Sequence, residues 1–127
     1  MNYRINPRTI HPPAAKYAHG VLSRGFDQIL HSSGVVPVDV EGNTPENISE
    51  QAMLVWKNIR EILKEAHMGI TDIVSVTTYV VLDQDLQAVM KVRDEHLNQH
   101  RAASTLVTVP ELAQDQWKME ISIIAVK

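Results

Sequence analysis

Two stretches of the chain carry the hydrophobic spacing of helices. In the first, the apolar stripe consists of Ile48, Ala52, Val55, Trp56, Ile59, Ile62, Leu63 and Ala66. Because residues three and four apart share one side of a helix, that side is expected to be buried. Thr44 followed by Pro45 is typical of an N-cap and a first helical turn, and Gly69 is typical of a helix end. The pattern therefore predicts a helix between Thr44 and Gly69.

The second helical stretch has a thinner apolar stripe. Its apolar positions are Leu86, Val89, Met90 and Leu97. Asp83 or Asp85 can cap its N-terminus, and the sequence leaves this choice open. Charged residues fall beside the stripe, namely Lys91, Arg93, Asp94 and Glu95. We therefore expect this helix to pack with less coverage than the first.

Runs of β-branched residues predict three long strands. They are Ile73 to Leu82, Ser104 to Val109 and Gln116 to Val126, with Pro110 and a polar turn between the last two. In the final run, apolar side chains alternate with polar ones, so Glu120 and Ser122 are expected on one face.

The N-terminal part of the chain is predicted to be extended and then to form a hairpin. Prolines impose an extended path from Asn2 to Ala15, and Gly20 to Ser33 is predicted as two short strands joined near Arg24. The order hairpin, helix, strand, helix, strand, strand then predicts a two-layer α+β domain. In this arrangement both helices cover one face of a mixed β-sheet.

Size and composition narrow the classes of function. The 127 residues, 44% of them hydrophobic, fit one domain spanning residues 1–127. A formal charge of -3 gives no attraction to nucleic acid or to an anionic membrane, and the absence of cysteine excludes disulfides and thiolate chemistry. No apolar run has the length of a signal peptide or the ~20 residues of a membrane span. We therefore expect a cytoplasmic protein with small-molecule or protein partners.

Six histidines raise the question of a metal site. Only His96 and His100 have the four-residue spacing that places two side chains on one helix face. No third ligand is indicated by spacing, so histidines at a helix end are the preferred interpretation and no metal is predicted.

Four segments of the sequence resemble one known family. They are Tyr17, the turn His31-Ser32-Ser33-Gly34, the run from His100 to Val109, and the run from Met119 to Val126. Over nearly the full length, the chain resembles the reactive intermediate deaminase A (RidA/YjgF) family. The resemblance implies a chorismate-mutase-like fold and a homotrimer with an inner β-barrel and outer helices. It also implies small-molecule binding in clefts between subunits, hydrolysis of imines or enamines, and no cofactor.

The resemblance assigns roles to individual residues. Glu120 matches a glutamate proposed to orient the water that attacks the imine carbon, although a strand glutamate facing solvent is an alternative on sequence alone. Tyr17 matches a tyrosine that closes one side of the cleft, and packing is the alternative. Ser33 and Gly34 match a Ser-Gly pair in the cleft, although this pair is also common in ordinary turns.

Ser104 marks a departure from the family pattern. Deaminating relatives carry an arginine here that clamps the substrate carboxylate, and a serine hydroxyl supplies neither its charge nor its bidentate geometry. Loss of that pair would cost on the order of 2–5 kcal/mol of binding. Arg101 replaces it only if the chain bends between the two positions. Met90 also stands where some relatives have a polar asparagine, so a less polar cleft is expected.

Together these observations predict a trimer whose cleft is lined by Tyr17, Ser33, Gly34, Ser104, Thr105 and Glu120. The predicted activity is hydrolysis of an imine or enamine to a carbonyl compound and ammonia, with ordinary 2-imino acids as doubtful substrates. The alternative is a non-catalytic trimer that binds or senses a metabolite.

Overall fold

The computed structural model describes all 127 residues and contains six strands and two α-helices. The strands are β1 (Asn2–Ile5), β2 (Gly20–Ser23), β3 (Ile29–His31), β4 (Ile73–Val81), β5 (Ala103–Val109) and β6 (Met119–Val126). The helices are α1 (Ile48–Glu65) and α2 (Leu86–Leu97), with a single 3₁₀ turn at Ile70–Asp72.

Four of the strands form a mixed sheet in the order β3-β6-β4-β5. Strand β4 is parallel to β5 and antiparallel to β6, while β3 is antiparallel to β6. Helix α1 packs against α2 and β6, and both helices contribute to a single core. The predicted two-layer α+β domain, with two helices on a mixed sheet, is confirmed.

The predicted hairpin between Gly20 and Ser33 is wrong. Strand β2 pairs instead with β1, so the N-terminal segment predicted only as extended supplies its partner. Strand β3 pairs with the end of β6, and the loop before it also donates to that end, from the backbone nitrogens of Asp27 and Gln28 to the Lys127 carbonyl. The residues between β2 and β3 therefore connect the two-stranded β1–β2 sheet to the four-stranded sheet.

Helix α1 begins three residues later than its sequence signal suggested. Its N-cap is Asn47, whose side chain accepts hydrogen bonds from the backbone nitrogens of Ser49 and Glu50, so the Thr44 prediction is wrong. The helix ends at Glu65, and the chain turns at His67, which has φ 57°, rather than at Gly69. The predicted buried stripe is observed, with Trp56 and Ile59 fully enclosed.

Helix α2 confirms one of the two capping alternatives, since Asp85 is the N-cap and accepts from the Ala88 nitrogen. Arg93 of this helix is buried, and its guanidinium lies 3.0 Å from the carboxylate of the neighbouring Asp94. That pairing offsets part of the cost of removing the charge from water.

The large sheet has two different faces. One is buried under the helices and carries Val76, Thr78 and Val80 of β4 with Met119, Ile121 and Ile123 of β6. The opposite face is called here the open face, and Val126 is its only buried residue. It comprises Ile29, His31, Ser75, Thr77, Tyr79, Val81, Ala103, Thr105, Val107, Val109, Glu120, Ser122, Ile124 and Val126.

Candidate functional site

Glu120 lies on the open face with its carboxylate against Gly34. The isolated bridge between Val35 and Ile121 holds the Ser33-Gly34 segment beside β6, with Val35 in the core. A Cβ atom added to Gly34 would be 2.3 Å from Glu120 Oε1 and 3.0 Å from its Cδ. Only a residue without a side chain leaves room for the carboxylate in this position. The structure thus brings together Gly34 and Glu120, with the exposed Ser33 beside them.

Tyr79 lies on the other side of Glu120. It is the residue of β4 paired directly with Glu120 of β6, and both side chains are half-buried. Directly opposite residues in an antiparallel pair have Cβ atoms about 4.5–5.5 Å apart on the same face, so the two side chains are neighbours. Sequence analysis missed Tyr79 because the alternation in β4 shows its face but not its strand partner.

The side chains of Ser104 and Thr105 lie on opposite faces of the large sheet. Thr105 is in register with Thr77 and lies on the open face, whereas Ser104 is in register with the buried Val76 and points to the helix side. Alternation directs the Ser104 side chain away from Glu120, so the structure does not bring these two predicted site residues together within one chain. The positions of β5 that flank it on the open face are Ala103 and Thr105, neither of which is basic.

Tyr17 lies far from Glu120 within one chain. The neighbouring Ala18 bridges Ala103 on the outer edge of β5, and the Tyr17 hydroxyl accepts from the Ala14 nitrogen. Three strand spacings and four residues along β5 separate this bridge from the level of Glu120, a distance of roughly 20 Å. Tyr17 and Glu120 therefore cannot contact the same small molecule within a single chain.

Neither Arg101 nor Arg24 lies beside Glu120 within the chain. Arg101 precedes β5 by two residues and is six residues from Val107, the β5 residue level with Glu120, which is about 20 Å along the strand. Arg24 follows β2, where its backbone bonds to Met1. Glu120 forms no ion pair. The basic side chain of the open face is that of His31, which is paired with Ile124, four residues along β6 from Glu120.

The surface pockets of the single chain do not include Glu120. A cavity of about 430 Å³ is bordered by Ser33 and Gly34, but it opens on the side of Asn58 and Ile62 of α1. None of the four cavities is lined by Glu120, Thr105 or Tyr17. Glu120 therefore lies on an open surface, and further protein would be needed to make it the wall of a cleft.

The two histidines with helical spacing have separate partners. His96 stacks on Trp56 and accepts a hydrogen bond at Nδ1 from Arg60 Nε, at 3.2 Å. Burial lowers the pKa of His96 below 6.5, and the Arg60 charge lowers it further, whereas Glu95 raises it. His100 bonds through Nε2 to the Ile73 carbonyl. No three histidine or carboxylate side chains are grouped as metal ligands.

Comparison with known proteins identifies the family. The family model described as Endoribonuclease L-PSP matches residues 9–127. The chain is 32% identical to the 2-iminobutanoate/2-iminopropanoate deaminase of Salmonella typhimurium, over 94% of this chain and 98% of that one. This chain belongs to the RidA/YjgF family.

Two further relatives are similar to this chain in structure or in sequence. The crystal structure of YyfB from Yersinia pestis, a Rid-family protein of unknown function, superposes with a TM-score of 0.87 at 25% identity, over 99% of this chain and 98% of that one. A RutC family protein of Buchnera aphidicola is 35% identical over 80 residues, which are 62% of this chain and 60% of that relative. The chorismate-mutase-like fold expected from the sequence is thus confirmed. No helix is long and apolar enough to cross a membrane.

Proposed function

We propose that this protein binds a small imine or enamine over Glu120 and hydrolyses it to a carbonyl compound and ammonia. The contact between Glu120 and Gly34 carries this proposal, because it holds a carboxylate at an open surface position with no side chain in front of it. The Salmonella relative, a deaminase by name, supports the reaction class.

The reaction needs only a water molecule and a group that moves protons. Glu120 accepts a proton from water as the water oxygen adds to the carbon of the protonated imine, which gives a neutral carbinolamine. The same carboxyl group then donates that proton to the amino nitrogen. The C–N bond breaks, ammonia leaves, and the hydroxyl returns its proton to the Glu120 carboxylate as the carbonyl forms. A positioned carboxylate in this role contributes about 10²–10⁴-fold to the rate. No cofactor takes part.

We further propose that three copies of the chain enclose the site. Glu120 is outside every cavity of the single chain, and the open face exposes apolar side chains such as Val107. A neighbouring copy that covered this face could supply the distant Tyr17 to the Glu120 site. The cleft would then combine Tyr17 of one subunit with Ser33, Gly34, Thr105 and Glu120 of the next.

The alternative function is a metabolite-binding or regulatory trimer without catalysis. The lack of an ion pair at Glu120 favours it, because a 2-imino acid would bring its carboxylate close to Glu120 with no compensating charge beside it. The ligand would then be neutral or weakly polar.

Ammonia release from a freshly generated imine, supplied both as 2-iminobutanoate and as its uncharged amide, tests the two functions. Turnover by the native protein that falls at least a hundredfold in Glu120→Gln supports the enzyme, since the amide keeps the shape and loses the proton acceptor. Equal rates in the two proteins contradict a role for Glu120. Absence of turnover in both, together with retained ligand binding, favours the non-catalytic function.

A further inference from the structure

Glu120 has two very different neighbours on the open face. On the side of the Ser33-Gly34 segment there is no side chain, and on the side of β4 there is the large phenol of Tyr79. A tyrosine extends farther from the sheet than a glutamate, so a molecule held over the carboxylate meets Tyr79 at its flank.

The hydroxyl of Tyr79 is not used within the chain. The other two tyrosine hydroxyls have partners, since that of Tyr3 donates to Met1 Sδ and that of Tyr17 accepts from Ala14, but Tyr79 forms no side-chain hydrogen bond. Half-buried phenols usually find a partner for their hydroxyl. This one is available to a ligand as a neutral donor or acceptor.

The charge of the open face restricts the kind of ligand. Glu120 is its only acidic group and forms no ion pair, since its basic residue, His31, is paired with Ile124 four residues along β6. Ser75, Thr77, Thr105 and Ser122 add further hydroxyls. A ligand with a carboxylate would be repelled by Glu120 without a cation to hold it. A ligand with an uncharged acceptor has the Tyr79 hydroxyl within its reach and avoids that repulsion.

We propose that Tyr79 is a specificity-determining residue that selects neutral ligands, by donating a hydrogen bond from its hydroxyl to an uncharged carbonyl or amide oxygen. This inference rests on the proposed function at Glu120 and names its substrate class, namely imines and enamines without a carboxylate on the carbon next to the C=N group.

Pyruvamide and pyruvate are a matched pair of probes, since they differ mainly in charge. Isothermal titration calorimetry of the native protein should show tighter binding of pyruvamide than of pyruvate. Tyr79→Phe should weaken pyruvamide binding about three- to tenfold, the usual value of one neutral hydrogen bond, and change pyruvate binding little. Tyr3→Phe is the control, because it removes a phenol hydroxyl from the two-stranded β1–β2 sheet and not from the open face. Thr105→Arg should increase pyruvate affinity at least tenfold by adding a cation to the open face.

The ratio of the two affinities separates specificity from stability, because a merely destabilised protein loses both ligands together. Pyruvate binding as tight as pyruvamide binding in the native protein, or an unchanged ratio in Tyr79→Phe, would overturn the inference. If hydrolysis still depends on Glu120 in that case, the proposed function survives and only the role of Tyr79 fails. If Tyr79→Phe changes the ratio but no imine is hydrolysed, the catalytic proposal fails instead. Binding of neither probe also overturns the role of Tyr79, and ammonia release then decides the proposed function separately.

Discussion

Gly34→Ala is expected to disable the site by moving Glu120 without removing it. The new methyl group would be 2.3 Å from Oε1, and ordinary van der Waals contact begins at 3.4 Å, so the carboxylate must move by about 1.1 Å. A misplacement of about 1 Å at a reacting centre can cost on the order of a hundredfold in rate. The backbone tolerates alanine, because Gly34 has no positive φ, and the obstructing atoms are the end of a flexible side chain.

The measurement is ammonia release from an imine, with thermal unfolding as a check on folding. We expect kcat to fall by about 10²-fold while Tm stays close to that of the native protein. Gly69→Ala is the matched control, because a Cβ there meets no atom within 4 Å. In a Glu120→Gln background, Gly34→Ala should cost little more, since both changes act through one group. Native activity in Gly34→Ala, or a full additional loss in the double variant, would refute the reasoning.

Three further predictions concern stability. Thr78→Val should stabilise the protein by about 1 kcal/mol in urea denaturation, because the buried Thr78 hydroxyl has no partner; a loss of stability would indicate that it has one. Gln51→Leu should destabilise the protein by roughly 3 kcal/mol, because the buried amide forms hydrogen bonds with three backbone groups, at Pro45, Gln116 and Lys118. Gln87→Leu is the control, since Gln87 is exposed and its replacement should change the stability little. The lowered pKa of His96 means that the unfolded chain binds more protons, so stability should fall as pH drops below 6.5. His96→Gln should flatten that pH dependence, and an unchanged slope would exclude His96 as its source.

Sequence periodicity predicted the elements of the fold better than their partners. The stripe around Trp56 and the alternation through Glu120 both depend on local burial, which repeats every 3.6 or 2 residues, and both are observed. The pairing of β2 with β1 depends on contacts between distant residues, and no local pattern encodes it.

In the candidate site, too, individual residues could be predicted from the sequence, but the faces on which they lie could not. The family resemblance pointed to Gly34 and Glu120, which the structure brings together, but it could not show which of Ser104 and Thr105 faces them. A shift of one residue moves a strand side chain to the opposite face, so register decides that question. Tyr79 became a candidate only when β4 and β6 were paired.

The most direct test of the account is the position of a bound ligand in a crystal structure of the protein soaked with pyruvamide. The account predicts that the ligand lies over Gly34, with its ketone carbon near the Glu120 carboxylate and its amide oxygen within hydrogen-bond distance of the Tyr79 hydroxyl. A ligand bound only in the cavity beside Asn58, with the open face vacant, would contradict it.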